Sequence, residues 1–177
     1  MEKTMKKKNV SDEPSPVQYE TLNDLPKAAR EQVINLLNQR LADAIDLQSQ
    51  VKQAHWNVKG PHFIALHELF DDIYEAVSEY VDLIAERAVQ LGGIAEGTIR
   101  AAAGRSRLQE YPLELSTGEA HVVQVSRALA EFGREVRLAI DEADGFDDAD
   151  TSDIFTEVSR GTDKWLWFVE AHLQAAT

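Results

Sequence analysis

Residues 61–93 read PHFIALHELFDDIYEAVSEYVDLIAERAVQLGG, and this stretch decides the fold. At about 100° per residue, Phe63, Leu66, Phe70, Ile73, Val77, Val81, Ile84, Ala88 and Leu91 fall on one stripe that a helix must bury against its own bundle. Pro61 stands in the first turn, where a missing N–H costs nothing, and Gly92-Gly93 ends the pattern, so a helix is predicted from Pro61 to Leu91. A second stripe, made of His67, Asp71, Asp82 and Glu86, lies about 130° around the same helix and points out of the bundle.

On the N-terminal side, a helix is predicted from Pro26 to Val58, with Asn23 or Asp24 as its cap. On the C-terminal side, the capping box Ser116-x-x-Glu119 opens a helix carrying Val122, Val125, Leu129, Val136 and Ile140, which ends at Asp144-Gly145. A fourth helix starts between Thr151 and Asp153, capped by Asp150 or Asp153, and runs to the C-terminus. A turn of about two residues joins the first two helices, as in antiparallel neighbours, whereas about 25 residues separate the second and third. The expectation is an all-α, ferritin-like four-helix bundle with one long crossover, in which IAEGTIRAAAG at 94–104 forms a short extra helix. The bundle domain spans 21–177; residues 1–20, nearly devoid of apolar side chains, form a flexible tail.

Composition narrows the chemistry. The 177 residues suffice for one domain, and 31 Asp plus Glu against 18 Lys plus Arg give a net charge of -13, which excludes a globally basic nucleic-acid binder. With no cysteine there are no disulfides, thiolate metal sites or cysteine nucleophiles, so any metal must rest on His, Asp and Glu. No apolar run approaches the roughly 20 residues of a membrane span, and MEKTMKKKNV is not followed by a signal-like apolar segment, so a cytoplasmic setting is expected. There is neither a Gly-rich phosphate loop nor a strand-period segment, which removes nucleotide-binding α/β folds.

The outward stripe is the candidate metal centre. His67-x-x-x-Asp71 and Asp82-x-x-x-Glu86 each place two donors one turn apart on one face. Their midpoints are 15 residues apart, roughly 22 Å along a rigid helix, so they cannot share an ion within one chain. Two copies packed antiparallel about a twofold axis would set one pair against the other and create two equivalent sites. Imidazole with oxygen donors and open positions suits Fe(II), Zn(II) or Mn(II). A di-iron centre inside one bundle needs Glu-x-x-His, and no histidine here has Glu three residues before it. His62, His121 and His172 have no carboxylate at ligand spacing and are read as surface or packing residues.

The run QVKQAHWNVKGPHFIALHELFDDIYEAVSEYVDLIAERAVQLGG, residues 50–93, resembles the ferroxidase signature of the Dps family, the ferritin-like "DNA-binding protein from starved cells" group. The similarity continues through YPLEL, DADTSDI and SRGTDKWLWFVE. The resemblance implies that His55 joins His67 and Asp71 on one subunit, that Asp82 and Glu86 come from the twofold mate, and that Trp56 lies beside the site. Without it, His55 and Trp56 read as packing residues; Lys52 is a candidate partner of the ligands. Dodecameric shells, Fe(II) oxidised with hydrogen peroxide and stored as Fe(III), and DNA protection follow as expectations. Haem is not expected, since the only methionines, Met1 and Met5, lie in the tail.

Two charged segments remain. Asp141 to Asp153 holds seven acidic and no basic residues; it reads as a solvated turn or, by the resemblance, as the lining of acidic pores, with Asp150 and Asp153 at the pore positions. Lys3, Lys6, Lys7 and Lys8 make the first eight residues +3 and leave -16 on the remainder. They read either as a solubilising tail or as an arm that binds DNA phosphates without sequence preference. A non-enzymatic, nucleoid-packing bundle is the alternative to an iron-oxidising one. If the lysines are such an arm, deleting residues 1–8 abolishes a low-salt gel shift and leaves iron oxidation intact; unchanged DNA binding rejects the arm.

Overall fold

The computed structural model describes residues 19–174. Five helices follow in order: α1 (Lys27–Asn57), α2 (Phe63–Gln90), α3 (Ile99–Arg105), α4 (Gly118–Gly145) and α5 (Ala149–Glu170). The four long helices form the expected bundle, α1 packing mainly on α2 and α4 on α5, and α3 is the short extra helix of the crossover. The tail lysines and the two methionines lie outside the described residues. Tyr19 N–H donates to the Gly92 carbonyl at 2.7 Å, so the chain already meets the bundle before the expected end of the tail at residue 20.

The core is filled from all four long helices. Leu37, Leu47, Phe70, Ile73, Phe132, Val136 and Phe155 are fully buried within it. On α2 the predicted stripe holds for Leu66, Phe70, Ile73, Val77, Ile84, Ala88 and Leu91, while Val81 is only partly buried, Phe63 is partly exposed and Tyr80 is buried in addition. Tyr80 fits because position 161 is glycine: a Cβ there would lie 1.9 Å from the phenol oxygen.

Several boundaries differ from the expectation, each for a local reason. Pro26 caps α1 without a side-chain hydrogen bond, because the Asn23 carboxamide accepts from Leu25 N–H instead. The α1–α2 turn occupies residues 58–62 rather than about two, with Gly60 at φ 112. At α4 the cap is Thr117, one residue past the predicted Ser116, and Gly118 follows it where a Cβ would come within 3.0 Å of Leu66. At α5 the cap is neither Asp150 nor Asp153 but Asp148, whose carboxylate accepts from Thr151 N–H at 3.1 Å. The left-handed residue of that turn is Asp147, at φ 60, a conformation aspartate tolerates better than most side chains. α5 ends at Glu170, short of the terminus.

α1 does two jobs, which explains its mixed composition. Its apolar side enters the core, while Asn38, Gln39, Asp43 and Gln50 face the crossover and satisfy its backbone. Asn38 donates to the Ile94 carbonyl and accepts from Glu96 N–H, both at 2.9 Å. Gln39 donates to the Arg105 carbonyl, Gln50 to the Gln109 carbonyl, and Asp43 accepts from Arg107 N–H. A long irregular segment has many backbone groups to pair, and this polar row supplies partners.

Beneath it sits a buried charge cluster. Arg40, 2% exposed, lies 2.8 Å from Asp43 and 3.0 Å from Glu135 of α4. Burial pushes the Asp43 carboxyl up despite Arg40. At Glu135 the same effect of burial is outweighed by hydrogen bonds and charge from Arg40 and Arg107, which hold the carboxyl below its usual range. Glu135 therefore contributes stability above its ordinary value of 4.5 that is lost as pH falls through the folded pKa; the raised Asp43 acts in the opposite sense. Arg40→Met, which takes from the buried Asp43 its ion-pair partner and from Glu135 one of several, is expected to cost about 3–5 kcal/mol in chemical denaturation, and Glu135→Gln to flatten the acid limb of the stability curve. A loss under about 1 kcal/mol for Arg40→Met would show that the cluster is not a structural tie.

Candidate metal centre

The α1–α2 hairpin brings His55 and His67 face to face, with ring centroids 3.7 Å apart. Their backbones hold them reciprocally: His55 Nδ1 lies 2.8 Å from the His67 carbonyl oxygen, and His67 Nδ1 lies 2.9 Å from that of His55. A carbonyl only accepts, so each Nδ1 carries the proton. In the neutral rings both Nε2 atoms therefore present lone pairs, the form a metal ion requires. Phe63, four residues before His67, lies against the His67 ring at 5.1 Å between centroids.

Asp71 stands one turn after His67 and 3.7 Å from His55 Nδ1. Lys52 of α1 donates a hydrogen bond to its carboxylate. Chiefly through that bond, and against a weaker effect of desolvation, Asp71 is held below the ordinary carboxylate range. The same ammonium lies 4.6 Å from the centre of the Tyr74 ring, a cation–π contact that fixes Lys52 from the other side. Asp71 is thus an ionised carboxylate already partnered by an ammonium.

Asp82 and Glu86 lie further along α2, on its exposed side. They do not approach His55, His67 or Asp71, and among the described residues neither makes an ion pair. The described residues contain no group of three or more His, Asp or Glu side chains able to hold a metal ion within one chain. Trp56, next to His55, is 66% exposed on the isolated chain. Of the other histidines, His62 and His172 are exposed, whereas His121 is buried and pairs with the Tyr111 hydroxyl at 2.6 Å.

The acidic turn has a partner that the sequence did not single out. Arg87 of α2 is 6% exposed, lies 2.7 Å from Asp148 and 3.8 Å from Asp150, and donates from Nε to the Thr151 hydroxyl at 3.0 Å. Its place beside the apolar stripe of α2 does not distinguish it in the sequence from a surface cation, because its partners in the acidic turn lie more than 60 residues away. Asp150 and Asp153 are exposed at the start of α5. No described helix is long and apolar enough to cross a membrane.

Comparison with known proteins bears on the fold and the family. A ferritin-like domain family matches residues 34–177. The DNA protection during starvation protein of Agrobacterium fabrum is 46% identical over 156 residues, which cover 88% of this chain and 96% of that protein. Dps from Mycobacterium smegmatis, in a tetragonal form, matches with a TM-score of 0.85 at 31% identity, covering 90% of this chain and 96% of that one. Dps from Microbacterium arborescens, in a high iron form, matches with a TM-score of 0.79 at 29% identity, covering 89% and 100%. Bundle topology, crossover helix and near full-length similarity converge, and the chain belongs to the Dps family of ferritin-like proteins.

Proposed function

We propose that this protein is a Dps-type mini-ferritin that binds Fe(II) between subunits, oxidises it with hydrogen peroxide and stores ferric iron inside a dodecameric shell. The reading rests above all on two incomplete donor sets: His55, His67 and Asp71 lie near one another at one end of the outward face of α2 without forming a metal-binding group by themselves, and Asp82 and Glu86 lie at the other end. An antiparallel twofold mate brings the missing carboxylates to each imidazole pair. The high iron form of the Microbacterium relative supports iron as the substrate.

The residues divide the work. The two free Nε2 atoms orient the ion, and the carboxylates favour the oxidised state because Fe(III) carries one more positive charge and is attracted more strongly by the same anions. Each peroxide accepts one electron from each of two Fe(II) and two protons, giving water, so iron and peroxide are removed together and Fenton chemistry near DNA is suppressed. Asp150 and Asp153 line acidic entry pores that concentrate divalent cations. The setting is cytoplasmic, and the tail lysines associate with DNA without sequence preference.

An anaerobic Fe(II) titration followed by peroxide tests this. Wild type binds Fe(II) saturably and oxidises two per peroxide, while His67→Ala with Asp71→Ala slows oxidation on the order of 100-fold in an intact shell. Equal rates in the two proteins would leave only a DNA-packing role. Separately, Asp150→Asn with Asp153→Asn is expected to slow core growth several-fold with an unchanged melting temperature, because Asp148 provides the α5 cap. Equal core growth would reject the pores.

A further inference from the structure

Arg87 occupies a position that the packing of α2 alone does not explain. Its guanidinium is buried, and a buried charge is tolerated only where it is paired and hydrogen-bonded. The partners all belong to α5's first turn or to α2 itself: Asp148 at 2.7 Å, the Thr151 hydroxyl at 3.0 Å, and Gln90 at 3.5 Å, with Asp150 at 3.8 Å. A cation beneath a helix N-terminus opposes the helix dipole. Nor is Arg87 needed for capping, since Asp148 already accepts from the Thr151 N–H and hydroxyl. Among the described residues, Arg87 is the only basic group in ion-pair contact with the acidic run Asp141–Asp153. What remains for it is to tie that turn to α2, whose preceding residue is Glu86.

We propose that Arg87 is a positioning residue for cation entry: from α2 it grips Asp148 and Thr151, fixes the turn that presents Asp150 and Asp153, and thereby sets the rate at which divalent cations enter. The proposal rests on the pore reading given above. It requires the planar fork of arginine, which binds a carboxylate and a hydroxyl at once; lysine supplies the charge but cannot hold both in the same geometry. Because Arg87 does not meet the ion at the His55, His67 and Asp71 cluster, it acts on how fast the ion arrives and leaves the final affinity unchanged.

The test uses Co(II), which reports binding by its visible absorption without any oxidation. In assembled shells, Arg87→Lys should slow Co(II) binding roughly threefold or more at low salt, with the equilibrium affinity and stoichiometry of wild type. Arg87→Gln with Asp148→Asn, which removes both buried charges together, should slow it as well and serves where Arg87→Lys does not assemble. Asp150→Asn with Asp153→Asn is the control for the pore itself. If the control slows binding while both Arg87 variants bind at the wild-type rate, Arg87 has no positioning role and the pore reading survives. If the control binds at the wild-type rate, the pore reading and the proposal fall together. A changed affinity at unchanged rate would mean that Arg87 acts on the ligands through Glu86, and failure of both Arg87 variants to assemble would make the pair a determinant of assembly; either result overturns the proposal.

Discussion

A helix has one stripe to spend on its own bundle, and α2 carries two that compete for nothing because they lie on different sides. Phe70, Ile73, Val77 and Ile84 are fully buried among the other helices. The donors His67, Asp71, Asp82 and Glu86 lie about 130° away and stay outside that core. The bundle core is therefore closed within one chain, whereas the two donor pairs on the outer face of α2 lie too far apart to share an ion within that chain.

The antiparallel hairpin of α1 and α2 adds His55 to this surface. His55 and His67 sit on either side of the turn at 58–62, and each ring is locked by the other's carbonyl. The backbone thus sets the tautomer of both rings, and in the proposed site this would lower the reorganisation needed to bind an ion. α1 is free to do this at its C-terminal end because its middle is committed elsewhere. Arg40 ties it to Glu135, and the row from Asn38 to Gln50 holds the crossover in place.

Much of this was legible in the sequence. Apolar periodicity located all four long helices, and loop lengths assigned the topology, because both depend on local spacing. Cap positions slipped by a residue or more where tertiary contact chose between neighbours: Thr117 over Ser116 beside the close-packed Gly118, and Asp148 over Asp150 where Arg87 reaches across from α2. The polar row of α1 was not readable as a cradle, since its partners are backbone groups 56 to 66 residues away. For the candidate site, the one-turn spacings of α2 singled out the two proposed donor pairs from residues alone. His55 came only through family resemblance, because a contact between two helices leaves no periodic trace. Arg87 was overlooked because an arginine bordering an apolar stripe looks like any surface cation until its partners are seen.

The central claim is that each metal site belongs to two chains, and mixed dimers test it most directly. One subunit carries His67→Ala with Asp71→Ala, the other Asp82→Ala with Glu86→Ala; each alone assembles into shells lacking half of every donor set. In a mixed dimer one site inherits both intact halves and the other both damaged ones. Shared ownership predicts that co-assembly restores Fe(II) oxidation, with one working site per mixed dimer. Verified heterodimers as inactive as either parent would contradict it and place the centre within a single chain.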